Sequence, residues 1–416
     1  MHGTTGKTRR YVSALATLLC MLCILATYAF GNYLFAALLP DMQAAIGFDY
    51  VGAGLITSMG MVGFLAGSLI SARLCALIGS ENLVILTMLV TAGALFGYAL
   101  AGDYWTLLIL RTMIGVATAT AWVPMAVLVP RFTPPSFCGR AMGFVNAGTN
   151  FGLILNGLLL SLLLTPIGSD GLWIVTGLIS LSIAVGCLIV FRRADGFQPG
   201  TMAKSSGGSP RRRTEAGGNR NGMTLVLVCA SIVAMLGAPL LTYLSAYAVD
   251  DLGYRPSQIA PIWSMMGITG ALGGVVLGWI ADKYAVRTAI VMAFALLGAT
   301  AAILTIGSDN TPLPALYAAA VMLSVGFFAV YGLLPAYISH SFPAGQSIAI
   351  FGYVNAAQAA FSALGNYLFG FLRDQTGSFD ILFWVSAGLA LVGIVISARG
   401  FDDGDDPRAQ TKKGNG

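Results

Sequence analysis

Charge is what this sequence has least of. Only 9% of its 416 residues are Asp, Glu, Lys or Arg, against 57% hydrophobic, and the mean hydropathy is +0.81. A water-soluble fold needs a charged or polar shell over its core, and this balance excludes one. Histidine is nearly absent, with His2 and His340 alone, and the six cysteines (Cys20, Cys23, Cys75, Cys138, Cys187 and Cys229) fall in apolar stretches or beside their basic ends. Two distant histidines and one Cys20-x-x-Cys23 pair do not make a four-ligand metal set. No metal or cofactor is therefore expected, and the cysteines are expected to pack as small hydrophobes rather than as a disulfide framework. Missing too are a phosphate-cradling glycine loop and a nucleophile paired with a base, so the usual enzyme signatures do not emerge. The formal charge of +5 is accounted for by basic loops, which leaves nucleic-acid binding without support.

What the chain does have is apolar runs of about 20 residues, the length that crosses a bilayer core at ~1.5 Å per residue. The runs and their breakers predict twelve transmembrane helices, over about 12–38, 51–72, 82–101, 104–129, 139–164 and 171–191, then 223–249, 257–281, 287–307, 314–338, 346–372 and 379–398. The expected class is an all-α polytopic membrane protein. The first run follows Lys7, Arg9 and Arg10 as a signal peptide would, but it is too long and lacks a small-residue cleavage site, so it reads as the first helix.

Between the sixth and seventh helices lies the only long polar segment, with seven basic residues against Asp195 and Glu215. Its Gly and Ser content predicts a disordered tether. The expected organisation is a first bundle over 1–191, a basic linker over 192–222, a second bundle over 223–398 and a solvated tail over 399–416. With both termini on the linker's side, 19 of the 22 Lys and Arg share one face, while Arg255 and Arg373 lie on the other. The positive-inside rule makes the first face cytoplasmic, and its arginines suit contact with anionic lipid headgroups.

The halves repeat each other in residues. Gly143-Phe144-Val145-Asn146-Ala147 returns as Gly352-Tyr353-Val354-Asn355-Ala356, Ile46-Gly47-Phe48 as Leu252-Gly253-Tyr254, Ser58-Met59 as Ser264-Met265, and Pro124 as Pro335. A duplicated six-helix unit explains this order, and such repeats place a binding site near the midplane at their interface.

Polar side chains deep in lipid are costly unless they face a cavity or a partner helix. Helices three, six, nine and twelve have no charge, Asn or Gln within the apolar stretch and read as lipid-facing scaffold. Polarity gathers instead at Tyr28, Asn32 and Tyr33; Arg111, Thr118 and Trp122; Asn146, Asn150 and Asn156; Tyr243 and Tyr247; Trp263 and Thr269; Tyr331; and Asn355, Gln358 and Asn366. Arg111 is the one charge placed well inside a span, about 10 Å from the outer end of helix four. Three readings are open for it: a two-pronged site for a carboxylate or phosphate, a structural tie to carbonyls of a neighbouring helix, or snorkelling outward towards Asp103 or Asp41. No Asp, Glu or His lies near midplane; Asp41, behind Pro40, is the nearest and reads as a helix-end marker. Coupling is therefore expected to reside in the substrate itself, through exchange or co-transport with a proton.

The loop Gly278-Trp279-Ile280-Ala281-Asp282-Lys283-Tyr284-Ala285-Val286-Arg287 resembles the Gly-x-Leu-Ala-Asp-Arg-x-Gly-Arg-Arg signature of the major facilitator superfamily. The loop after helix two keeps Gly79 but has Ala76 and Leu77 where that pattern has Asp and Arg. Arg111-x-x-x-Gly115 is similar to the family's helix-four arginine motif. Gly148, Gly152 and Gly157 have the spacing of its antiporter motif, with Leu153 in place of the proline. The resemblance is to the bacterial members and implies two pseudo-symmetric six-helix bundles rocking about a cavity lined by helices one, four, seven and ten. It implies a lock formed by Asp282, Lys283 and Arg287, and a monomer in the bacterial inner membrane. It further implies a secondary transporter rather than an enzyme. From Arg111 deep in its span and the lack of deep acids, the solute is expected to be a small organic anion moved by proton symport or exchange with a counter-substrate. Arg111 would hold the anion, with Asn32, Tyr243 and Tyr331 as hydrogen-bond partners and Asn146, Asn355 and Gln358 as further contacts. The alternative is a proton-coupled efflux pump for amphipathic compounds, which Leu153 disfavours.

Overall fold

The computed structural model describes residues 3–194 and 220–401, and all its regular elements there are helical. Most of the expected linker and nearly all of the tail lie outside the described residues. The long helices are α1 (Tyr11–Ala37), α2 (Tyr50–Ile78), α3 (Ser80–Ala99) and α4 (Tyr104–Phe132). A 56-residue stretch, Cys138–Arg193, then bends at Gly168, whose φ of 69° ends one helix and starts another, giving α5 (138–167) and α6 (169–193). The second half comprises α7 (Gly222–Asp251), α8 (Pro256–Lys283), α9 (Val286–Gly307), α10 (Leu313–Ser341), α11 (Ala344–Thr376) and α12 (Asp380–Gly400).

Several helices run past their expected ends. α2 continues to Ile78, where Gly79 at φ 84° stops it, and α4 continues to Phe132, past Arg131, a cation well placed against the negative end of the helix dipole. Asp49 caps α2 by accepting from Gly52 N at 2.7 Å, and Asp103 caps α4 by accepting from Thr106 N at 2.9 Å.

Within the first bundle α2 and α4 meet backbone to backbone. A Cβ on Gly115 would lie 1.9 Å from the Gly60 carbonyl oxygen, and one on Gly63 would lie 2.3 Å from that of Thr112, so only glycine permits this approach. The scaffold helices pack behind: Tyr98 of α3 stacks at 4.7 Å on Trp173 of α6, and Phe294 of α9 fills the notch left by Gly393 of α12.

The bundles join through α2 with α11 and α5 with α8. Among the described residues their seam is closed from the end that carries the α1–α2, α7–α8 and α11–α12 connections inward to the middle of the helices, where a Cβ on Gly267 would lie 2.6 Å from the Asn150 carbonyl oxygen. Nearer that end a Cβ on Gly370 would meet the Tyr50 carbonyl at 2.1 Å, and one on Gly157 the Ser264 nitrogen at 2.3 Å. Towards the end where α1 begins, Gly139, Gly143, Gly274, Gly278 and Gly352 have nothing within 4 Å of such a Cβ. The molecule is a clamp, shut at one end and splayed at the other.

Candidate functional site

The first helix of each half contains a π-helical stretch, Leu25–Tyr33 in α1 and Tyr247–Asp251 in α7. In α1 the wider turn opens carbonyls to side chains, as buried backbone acceptors require partners. Asn32 Nδ2 donates to Thr27 O at 3.0 Å and to Thr118 Oγ1 at 3.0 Å; Asn156 Nδ2 of α5 donates to Ala29 O at 2.7 Å. Arg111 Nη1 of α4 donates to Gly31 O at 2.7 Å. Two helices, α4 and α5, thus converge on one distorted segment of α1.

Arg111 is only 3% exposed. Its guanidinium lies 5.2 Å from the Phe35 ring centre and against Gly60, where a Cβ would come within 3.0 Å of Nε. Nε and the nearby Tyr98 hydroxyl are both buried and complete no hydrogen bond. Its electrostatic neighbours are the hydroxyls of Tyr98 and Tyr33, with no carboxylate among them. A cation taken out of water with only a carbonyl, a ring and phenols around it retains an uncompensated charge.

Tyr33 carries this environment into the bundle interface. Its hydroxyl interacts with Arg111, Tyr28 and Tyr331, and its ring meets Phe328 of α10 edge-on at 6.1 Å. Tyr331 stacks obliquely on Phe327 at 4.7 Å and turns its hydroxyl towards Ser362 of α11. Gln358, one turn before Ser362, is 7% exposed on the same side of α11. Chemically the arrangement provides a fork donor for an oxyanion and aromatic edges with phenolic hydroxyls for an apolar body.

Of the candidate residues, Arg111, Asn32 and Tyr331 come together here, with Gln358 beside them. Tyr243 does not: it is 1% exposed, donates to Asn366 O at 2.7 Å, and packs on Tyr50 and Phe379 at the closed end. Asn355 donates to Phe351 O of its own helix at 2.9 Å, and Asn146 is exposed beside the break at Ala147. Asp282, Lys283 and Arg287 sit at the splayed end, where Lys283 lies over Trp279 and Tyr284 at 4.6 and 5.2 Å. At the same end of the first bundle Arg131 pairs with Glu81 at 2.7 Å.

Phe328 and Ser362 escaped the sequence reading because Phe and Ser are ordinary in apolar helices. A second group it missed is the latch at the closed end. Asp374 of α11 accepts from Tyr50 N at 3.2 Å and Val51 N at 2.7 Å, capping α2 across the seam, while the Tyr50 hydroxyl donates to Asp250. Arg373 pairs with Asp251 at 2.5 Å and lies over the rings of Tyr50 and Phe379. The adjacent pairs Asp250-Asp251 and Arg373-Asp374 were visible as rare charges on that face; their partners were not.

Residues 21–365 match the family model of the Major Facilitator Superfamily. The chain belongs to this superfamily. Among curated relatives of this facilitator, the 3-(3-hydroxy-phenyl)propionate transporter of Escherichia coli (strain K12) is 25% identical, covering 90% of this chain and 92% of the relative. The cis,cis-muconate transport protein of Acinetobacter baylyi (strain ATCC 33305 / BD413 / ADP1) is 23% identical over 86% and 87% of the two chains. In fold, the facilitator is similar to a bacterial homolog of the human lysosomal transporter Spinster, with a TM-score of 0.68 at 15% identity over 94% and 95% of the chains. It is a multi-pass membrane transporter and not an enzyme, as the Gly278–Arg287 loop led us to expect.

Proposed function

We propose that this facilitator carries small organic acids with a flat aromatic or conjugated body, the carboxylate directed to Arg111 and the body laid against Tyr33, Phe328 and Tyr331. One observation carries the reading: Arg111 is a buried cation with no carboxylate neighbour among the described residues, and a bound anion is the partner that would offset its desolvation. Support comes also from relatives named for hydroxyphenylpropionate and muconate, both carboxylic acids. The bundles rock about this site, opening each end in turn. By the charge of the loops, the splayed end faces the cytoplasm together with both termini, in a bacterial inner membrane. Asp282, Lys283 and Arg287 close that end when the other opens. The unit is a monomer of two bundles, 1–191 and 223–398, tethered by the basic linker over 192–222. The substrate enters with a proton or in exchange for a second anion.

The test is saturable uptake of labelled 3-(3-hydroxyphenyl)propionate and muconate into proteoliposomes. A charge-assisted hydrogen bond contributes about 1.5–3 kcal/mol, so Arg111→Ala should lower uptake efficiency by about 10- to 150-fold. Unchanged uptake by that variant would remove Arg111 from the site. Transport of lipophilic cations that survives the mutation would move the assignment to efflux and leave Arg111 as a tie to Gly31. Uptake that persists with neither a pH gradient nor a counter-substrate would exclude both coupling modes.

A further inference from the structure

The closed end contains a titratable group that the substrate site does not use. Asp41 sits in the first turn of the short helix Leu39–Ile46, outside the span of α1. Asp41 lines a small cavity between the bundles, walled by Leu160 and Leu164 of α5 on one side and by Ser245, Val249, Ile259 and Trp263 of α7 and α8 on the other. Among the residues lining that cavity Asp41 alone is titratable. The single side-chain hydroxyl there, on Ser245, already accepts from the Trp263 indole N–H at 3.2 Å.

Charged and titratable groups on the surrounding elements are engaged elsewhere. Asp250 is held by Tyr50, Asp251 by Arg373, Tyr243 by the Asn366 carbonyl and Tyr247 by that of Ser308, while Arg255 is exposed at the start of α8. Among the described residues no cation offsets the carboxylate. Burial pushes the Asp41 carboxyl up from the ordinary carboxylate value, opposed in part by its own backbone N–H.

We propose that Asp41 is the proton-binding residue of this gate: it takes a proton from the water on its face when the bundles close over it and returns the proton when they part. The inference requires the bundles to separate here and does not depend on which solute is carried. Its sign follows from the direction of the shift. The neutral acid is favoured in the closed form, so the closed form's advantage is fully present below the ordinary value of 3.8 and is lost as pH rises through the raised value. Between those limits a one-proton linkage changes the open-to-closed ratio by up to about tenfold per pH unit.

The experiment uses the full chain in proteoliposomes without substrate, with the half-buried Cys75 and Cys138 replaced by serine. Ile259→Cys, at a cavity position only 3% exposed, reports opening by its labelling with a membrane-impermeant maleimide. At each pH the rate is divided by that of Gly102→Cys, an exposed position on the same face, which removes the thiol's own pH dependence. The normalised rate should climb as pH rises above the ordinary carboxylate value, become flat in Asp41→Asn, and climb again in Asp41→Glu, whose recovery also shows that the site tolerates substitution. A climb that persists in Asp41→Asn, or none in the parent, overturns the proposal. With no substrate present, these outcomes bear on Asp41 alone, whereas loss of uptake in Arg111→Ala bears on the anion site alone.

Discussion

Adding one methyl group at Gly370 should tip this clamp without unfolding it. A Cβ there would lie 2.1 Å from the Tyr50 carbonyl across the seam and 2.7 Å from the Tyr243 hydroxyl, where ordinary contact begins at 3.4 Å. Tyr50 cannot retreat freely, because Asp374 holds its N–H and Asp250 its hydroxyl. Forcing a methyl into a packed contact costs about 1–3 kcal/mol. The clash with Tyr50 arises between bundles, so that part of the cost falls on the closed form and vanishes when they part. Gly370→Ala should therefore raise the open-to-closed ratio by about 5- to 150-fold. Maleimide access to Ile259→Cys measures the ratio, and thermal unfolding in detergent measures the fold. Two controls bracket the result. Gly352→Ala, with nothing within 4 Å, should change neither. Gly115→Ala, 1.9 Å from the Gly60 carbonyl inside one bundle, should lower the melting temperature without opening the seam. If Gly370→Ala instead behaves like Gly115→Ala, the α2–α11 contact is part of a fixed core and the reasoning fails.

Two further outcomes follow from named contacts. Asn156→Ala removes the 2.7 Å hydrogen bond to Ala29 O and should cost about 1 kcal/mol in unfolding experiments. It should also raise the KM for uptake through displacement of the π-helical turn that faces Arg111; an unchanged KM would separate that turn from the site. Asp103, exposed at the start of α4, is held below the usual carboxylate range by Thr106 Oγ1 and the Thr106 N–H. Its capping contribution is present above the unfolded value and lost as pH falls through the lower folded one, so a melting difference between parent and Asp103→Ala should narrow on acidification below about pH 4. A difference that stays constant would show that the cap's charge is irrelevant.

Much of the site was legible one helix at a time. Arg111 stands out because charge is so rare in the spans, and its depth follows from counting residues in a regular helix. Tyr331 and Asn32 could be named because polar groups concentrate on few helices. The same reasoning also nominated Tyr243, which the fold places among Tyr50, Phe379 and Asn366 at the closed end instead. An isolated helix does not reveal which of its neighbours a tyrosine will face. The tie between Arg111 and Gly31 was one of three open readings; the distortion over Leu25–Tyr33 that opens α1 to it leaves no pattern in hydropathy.

The sequence by itself determined the environment and the number of crossings. Apolar runs of bilayer length forbid unpaired backbone in lipid and therefore force helices, and the duplicated motifs divide those helices six and six. Those properties are local or additive along the chain. The tertiary structure alone decided that Arg111 has a carbonyl and no carboxylate, that Asp374 caps a helix more than 300 residues away, and that Asp41 faces a cavity shared by both halves. Each of these depends on contacts between distant segments, and side-chain packing across helices carries little periodic signal in the sequence.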